Sequence, residues 1–160
     1  MSFQAFQKIT ANKFKFALFL FSKLPSAFIC GVRLRSLTES ECVTSVPYKW
    51  LSQNPFKSIY FACQAMAAEM STGMLGQAHI YQSQPAISML VIKLEAQYFK
   101  KATDRIYFTC SSGDAVKAAI EKSKATGEGQ AVECISIGKN KVGELMSEFK
   151  ITWSFKAKAN

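Results

Sequence analysis

Between Ser58 and Ile92 the chain carries a single Asp, Glu, Lys or Arg side chain, Glu69, although 19% of the whole chain is charged. A solvent-facing helix would place several charges on its outer side, so this silence excludes an exposed segment and predicts one buried nearly all round. Imidazole is as scarce, His79 being the one histidine. Five cysteines (Cys30, Cys42, Cys63, Cys110, Cys134) form no CxxC pair and have no His cluster beside them, so no metal site is expected. A Ser-His-Asp or Cys-His arrangement would have to be built on His79, which lies in the polar stretch "GQAHIYQSQP" and reads as a surface or turn histidine. The chain has no GxSxG elbow, no glycine-rich phosphate loop and no GxGxxG, which removes the serine-hydrolase and nucleotide-binding signatures. Its apolar runs are far too short to span a bilayer. "FALFLF" after Lys13 and Lys15 resembles a signal-peptide core, but no small-x-small cleavage site follows it.

What is present fits a soluble α+β domain spanning residues 1–160, long enough to bury a core without staples. Thirteen Phe suggest a large aromatic core or a site for apolar ligands. The formal charge of +9 favours anionic partners, yet the lysines are spread along the chain with no nucleic-acid-reading motif, so no nucleic acid is expected. Free cysteines in apolar or alternating runs behave as small hydrophobes and fit a reducing cytosol, hence a cytoplasmic location.

An N-terminal helix over about 2–23 is expected, with Phe3, Phe6, Phe14, Ala17, Phe21 and Leu24 as one stripe docking it on the body. Contact with a membrane surface is the minor alternative for this helix. The remaining core runs over about 26–157. "AFICGVRLRSL" and "SECVTSVPY" read as a hairpin turning at "TES", with Phe28, Cys30, Val32 and Leu34 on one face. Asn54-Pro55 marks a turn. The charge-poor helix follows, with Ser58 placed to cap it and Gly73 and Gly76 to end it. Four strands complete the chain, interrupted by a short amphipathic helix in "GDAVKAAIEKSKATGEG". Leu90, Ile92, Leu94, Ala96 and Tyr98 alternate with polar residues in the first. In the last, Leu145, Phe149, Ile151, Trp153, Phe155 and Ala157 give the clearest period of two. Six strands and one apolar helix suggest an antiparallel sheet wrapped around that helix.

A carboxylate in apolar surroundings has its ionised form disfavoured, which suits Glu69 to act as a general base or as a nucleophile near neutral pH. The alternative is a purely structural Glu69, hydrogen-bonded to a strand or to a polar neighbour such as Thr72.

The run "NPFKSIYFACQAMAAEMSTG" resembles the central helix of hot-dog-fold thioesterases of the phenylacetate-pathway type. There an Asn, a turn Gly and His-Gly-Gly lead into a small-residue helix, a carboxylate follows nine residues after the His, and a Gly four residues later. On this chain those places fall to Asn54, Tyr60, Glu69 and Gly73. "LEAQYFKKATDRIYF" resembles the strand, crossing and strand that follow in that family. "KLPSAFICGVRLRSLTESECVTSVPYKWLSQNPF" is similar to the opening of an uncharacterised hot-dog subfamily, and the resemblance covers about 15–157. The chain departs from the family pattern with Tyr60-Phe61-Ala62 in place of His-Gly-Gly and Lys57 in place of the turn Gly.

The resemblance implies a homodimer, or a pair of dimers, that binds an acyl thioester between subunits. Coenzyme A enters as part of the substrate, with no separate cofactor. Backbone N–H groups around Tyr60, Phe61 and Ala62 would polarise the carbonyl, and Glu69 would activate water or attack it. Asn54 and Ser58 would orient the substrate. Lys100 and Lys101 would meet the coenzyme A phosphates unless they are merely solvated. The rival reading is a non-catalytic acyl- or lipid-binding module of the same fold.

Overall fold

The computed structural model describes residues 2–158. Three helices open the chain: α1 (Ser2–Ala11), α2 (Lys13–Lys23) and α3 (Pro25–Cys30). A hairpin follows, of β1 (Arg33–Leu37) and β2 (Cys42–Val46), and then the long helix α4 (Phe61–Ile80). The second half contains β3 (Ile87–Tyr98), β4 (Ile106–Cys110), α5 (Gly113–Thr126), β5 (Gln130–Asn140) and β6 (Leu145–Ala157). The strands form one sheet in the order β1-β2-β4-β5-β6-β3, and every neighbouring pair is antiparallel.

The charge-poor segment is the helix on which this sheet closes. Met70 and Leu75 of α4 are fully enclosed, as are Phe108, Phe149, Ile151 and Phe155 from the sheet. Each such side chain contributes roughly 1.5–3 kcal/mol by leaving water. Polar contacts fix the helix on the sheet: Thr44 Oγ1 donates to the Ala67 carbonyl at 2.6 Å, the Ser71 and Ser136 hydroxyls meet at 2.7 Å, and Trp153 Nε1 donates to Thr72 Oγ1 at 2.9 Å. The remaining face of α4, through Ala62, Ala65, Met66 and Glu69, is half-buried, which leaves little wet surface on which to carry charge.

Gly73 and Gly76 lie inside α4 and do not end it. A β-carbon on Gly76 would fall 2.7 Å from Met89 Cε and 3.0 Å from Phe155 Cε1, and one on Gly73 would fall 3.1 Å from Trp153 Cζ2. Both glycines let the sheet approach the helix, and the helix continues to Ile80. Ser58 does not cap it either: Tyr60 holds the N-cap position without a side-chain bond.

The N-terminal helix is also corrected, because it breaks at Asn12, whose Oδ1 accepts from the Lys15 backbone N–H at 3.0 Å and starts a new helix. The break changes the phase of the stripe. Phe3, Phe6, Phe16 and Leu20 are buried, whereas Phe14 and Phe21 face outward. The stretch around Phe28 and Cys30 is the helix α3, not strand, and ends at Gly31 with φ +86°. On β6 the alternation from Phe149 to Ala157 holds; Leu145, by contrast, is exposed. On β3 it fails. Ile87, Met89 and Val91 turn inward there instead, Met89 against Gly76 of α4, so the phase is one residue out; the register then shifts between Val91 and Lys93, and Leu90, Ile92, Leu94 and Tyr98 are all exposed.

Candidate functional site

Two clefts lie along α4. The first, about 530 Å³, opens at the helix start between the 54–61 segment and the 98–102 crossing. It gathers Asn54, Ser58, Tyr60, Phe61, Lys100 and Lys101. Ala62 is half-buried beside it and contributes no lining side chain. The turn that shapes the cleft is organised by Asn54, whose Oδ1 accepts from the Phe56 and Ser58 backbone N–H groups at 3.0 and 3.2 Å and from Ser58 Oγ at 3.2 Å. Asn54 and Ser58 therefore build the turn, and Ser58 is buried within it. Lys57 stands at φ +58°, the left-handed conformation a glycine would adopt at no cost, at the position where the resemblance expects one.

Backbone donors at the helix start are fewer than the sequence suggests. The Tyr60 N–H donates to the Ser52 carbonyl at 2.8 Å, and that of Cys63 to the Tyr60 carbonyl at 2.9 Å. Among the described residues nothing accepts from the N–H groups of Phe61 and Ala62, the first-turn donors that every helix leaves over. The Tyr60 and Phe61 rings touch edge to face at 4.8 Å and wall the cleft. Phe61 leads through Tyr98 and Phe149 to Phe108 in a chain of edge-on aromatic contacts, so the phenylalanine-rich core runs out into the cleft. Lys100 pairs with Glu144, while Lys101 reaches the Phe56 carbonyl at 3.5 Å and has no carboxylate partner among the described residues.

Glu69 faces the second cleft, about 450 Å³, walled by Phe19 and Leu24, by Met70 and Met74 of α4, by Met89 of β3 and by Trp153 of β6, with Lys23 and Gln77 as its other polar lining residues. Burial pushes its carboxyl above the usual carboxylate range. No described side chain or backbone N–H donates to its oxygens. The Thr72 hydroxyl, the neighbour expected to do so, instead donates to the Glu69 backbone carbonyl at 2.9 Å and accepts from Trp153. Eight residues separate Glu69 from the Phe61 N–H, about 12 Å along the helix axis. One chain therefore does not bring its own carboxylate to its own helix-start donors.

His79 belongs to the last turn of α4, buried against the Phe3 ring at 5.1 Å, with Nε2 3.2 Å from the Glu39 carbonyl. It is a packing histidine in neither cleft, and not the surface residue its polar neighbours suggest. The sequence reading passed over Gln64, a buried residue lining the first cleft whose Oε1 accepts from Ser147 Oγ at 2.9 Å. An amide inside an otherwise apolar helix was the available signal. Met89 and Trp153 could not be found that way, since apolar strand residues carry no mark of lining a cavity.

A six-stranded antiparallel sheet packed on one long helix is the hot-dog fold of thioesterase-like proteins. Within it the chain belongs to the family described as a domain of unknown function, DUF4442, whose model matches residues 13–155. No functionally curated protein matches the sequence. The chain is similar to a solved protein of unknown function from Chlorobaculum tepidum, at 13% identity over 90% of this chain and 93% of that one, TM-score 0.76. It is also similar to a Pseudomonas aeruginosa protein described as a probable thioesterase, at 13% identity over 97% and 95%, TM-score 0.72. A Staphylococcus aureus thioesterase, solved with one glutamine changed to alanine, is similar at 16% identity over 79% and 94%, TM-score 0.61.

Proposed function

We propose that the chain is an acyl-CoA thioesterase acting as a homodimer, with Glu69 of one protomer and the α4 start of the other facing a single thioester. The observation that carries this reading is Glu69: a carboxylate with its pKa raised by burial, without a hydrogen-bond or ion-pair partner among the described residues, and turned towards a cleft of mostly apolar side chains. Such a group can take a proton from water near neutral pH. The hydroxide so formed adds to the thioester carbonyl, and the oxyanion accepts from the free N–H groups of Phe61 and Ala62. The C–S bond then breaks, and the leaving thiolate recovers the proton held on Glu69.

The edge strand β3 supports the dimer. Among the described residues nothing pairs with its outer side, and Leu90, Ile92 and Leu94 are exposed on a 12-residue strand, a combination that invites pairing with a second copy. The exposed Lys101 suits the coenzyme A phosphates better than Lys100, which Glu144 already engages.

Thioester hydrolysis across a panel of acyl-CoA chain lengths tests the reading, wild type against Glu69→Gln. Loss of about 10²–10⁴-fold in turnover with an unchanged circular dichroism spectrum is expected. A wild type inert on the whole panel overturns it. The contact of Tyr60 with Phe61, where the resembled family has His-Gly, favours a second reading, an acyl-binding protein without turnover. Calorimetric binding of acyl-CoA by an inert wild type would select that one.

A further inference from the structure

The phase change at Asn12 gives α2 two apolar faces. Phe16 and Leu20 point into the body. On the other side Phe14, Leu18 and Phe21 are 74%, 53% and 56% exposed, and at 100° per residue they form one outward stripe with Lys13 and Lys15 on opposite flanks. Scattered exposed hydrophobes need no explanation, but three on one face of an 11-residue helix do. The stripe continues through Phe21 onto the Phe28 ring at 5.5 Å, over which the Arg33 guanidinium sits at 4.4 Å.

Charge identifies the occupant. From Met1 to Thr38 the sequence contains Lys8, Lys13, Lys15, Lys23, Arg33 and Arg35 and no Asp or Glu at all. A second copy of the same face would bring like charges together. A surface that is both apolar and anionic satisfies the stripe and its flanks at once, and α2, about 16 Å long, is far too short to cross a bilayer. We propose that α2 lies flat on an anionic lipid bilayer, with Phe14, Leu18 and Phe21 in the headgroup–acyl boundary and Lys13 and Lys15 at the headgroups. The inner side of the same helix supplies Phe19 to the cleft of Glu69, so docking brings that cleft next to the lipid. The docking itself does not depend on whether Glu69 hydrolyses anything.

Co-sedimentation of the full chain with vesicles tests this, using phosphatidylcholine alone and equal parts phosphatidylcholine and phosphatidylglycerol, at low and high salt. Wild type should bind the anionic vesicles at low salt, and the bound-to-free ratio should fall by about tenfold or more when the anionic lipid is omitted or the salt is raised. The triple variant Phe14→Ser/Leu18→Ser/Phe21→Ser should lose binding at either salt, while its circular dichroism spectrum stays that of wild type and its melting temperature falls by only about a few degrees, since these side chains are more than half exposed. Lys13→Gln/Lys15→Gln should bind more weakly and with less salt dependence. Wild type that leaves anionic vesicles in the pellet unaccompanied overturns the proposal, as does equal binding by the triple variant. Sedimentation velocity without lipid supplies the third overturning outcome: a triple variant of lower oligomeric state than wild type would assign the stripe to a second copy of the chain.

Discussion

The two clefts along α4 are made from the same helix and differ in what the helix has to spare. At its start, two backbone N–H groups remain without a described acceptor, Lys101 is close by, and no carboxylate lines the walls. Midway along, backbone donors are consumed by the helix itself, so the Glu69 carboxylate receives no bond from them and burial raises its pKa. One cleft can hold a developing negative charge and the other can take up a proton. Thioester hydrolysis needs both within a few ångströms, and the single chain separates them by about 12 Å. A helix cannot present its terminus and its middle to one carbonyl, so under the proposed function the missing half comes from a second copy.

Breaking the pairing should produce the largest effect. The double variant Ile92→Lys/Leu94→Lys places two charges on the exposed apolar stretch of β3. We expect monomers by light scattering, an unchanged far-ultraviolet spectrum, and turnover reduced about 10³-fold or more as Glu69 loses its counterpart. A fully active monomer would break the comparison between the clefts.

The helix-start donors come next. Tyr60 has φ −58° and ψ 134°, the backbone that a following proline requires, and proline is tolerated at the first helical position. Phe61→Pro therefore removes one free N–H without removing the helix, and Phe61→Ala removes the same ring while keeping that N–H. The proline variant should turn over about 10²-fold more slowly than the alanine variant. Equal rates would take the Phe61 N–H out of the chemistry.

The other cleft can be tested through stability. Because folding raises the Glu69 pKa, the native state holds a proton that the unfolded chain has already released as pH climbs between the two values, so Glu69 weakens the fold at neutral and alkaline pH. Glu69→Gln should melt higher than wild type at pH 8, and the advantage should vanish below the unfolded glutamate pKa of about 4.3. Turnover by wild type should fall on acidification at a pH above that same value. A melting difference independent of pH would mean that Glu69 titrates normally.

The sheet-and-helix architecture was legible because burial leaves a direct mark on composition: a buried helix loses its charges, and β6 alternates because one face meets the core. Glu69 was legible for the same reason, as the exception to that loss. Gly73 and Gly76 were misread because a glycine that ends a helix and one that admits a strand look alike until Trp153 and Met89 are in place. The stripe through Phe14 and Phe21 failed because a single Asn12 cap rotates everything after it. On β3, alternation gave the strand and not its phase, since which face meets α4 is a property of the sheet. The split between the clefts had no sequence signal, because spacing along a helix gives distance but not which opening each side chain faces.

The smallest expected effect concerns Lys57. A left-handed conformation costs a non-glycine residue about 1 kcal/mol, and glycine would recover that while adding unfolded-state freedom worth nearly as much. Lys57→Gly should therefore stabilise by about 0.5 kcal/mol or less, a shift of about 1–2 °C in melting temperature. The turn should survive, because Asn54 Oδ1 still accepts from the Phe56 and Ser58 N–H groups. Asn54→Ala removes those acceptors and should cost about 1–3 kcal/mol, so the two variants separate the strain in the turn from the bonds that hold it. Lys57 does not line the first cleft, and calorimetry with acyl-CoA should give Lys57→Gly the wild-type affinity while Lys101→Ala weakens binding several-fold. If Lys57→Gly weakens binding as much as Lys101→Ala does, the lysine serves the ligand and not the turn. The cation set of the first cleft would then extend across the turn, which would explain why a residue that strains the backbone stands where glycine would be free of strain.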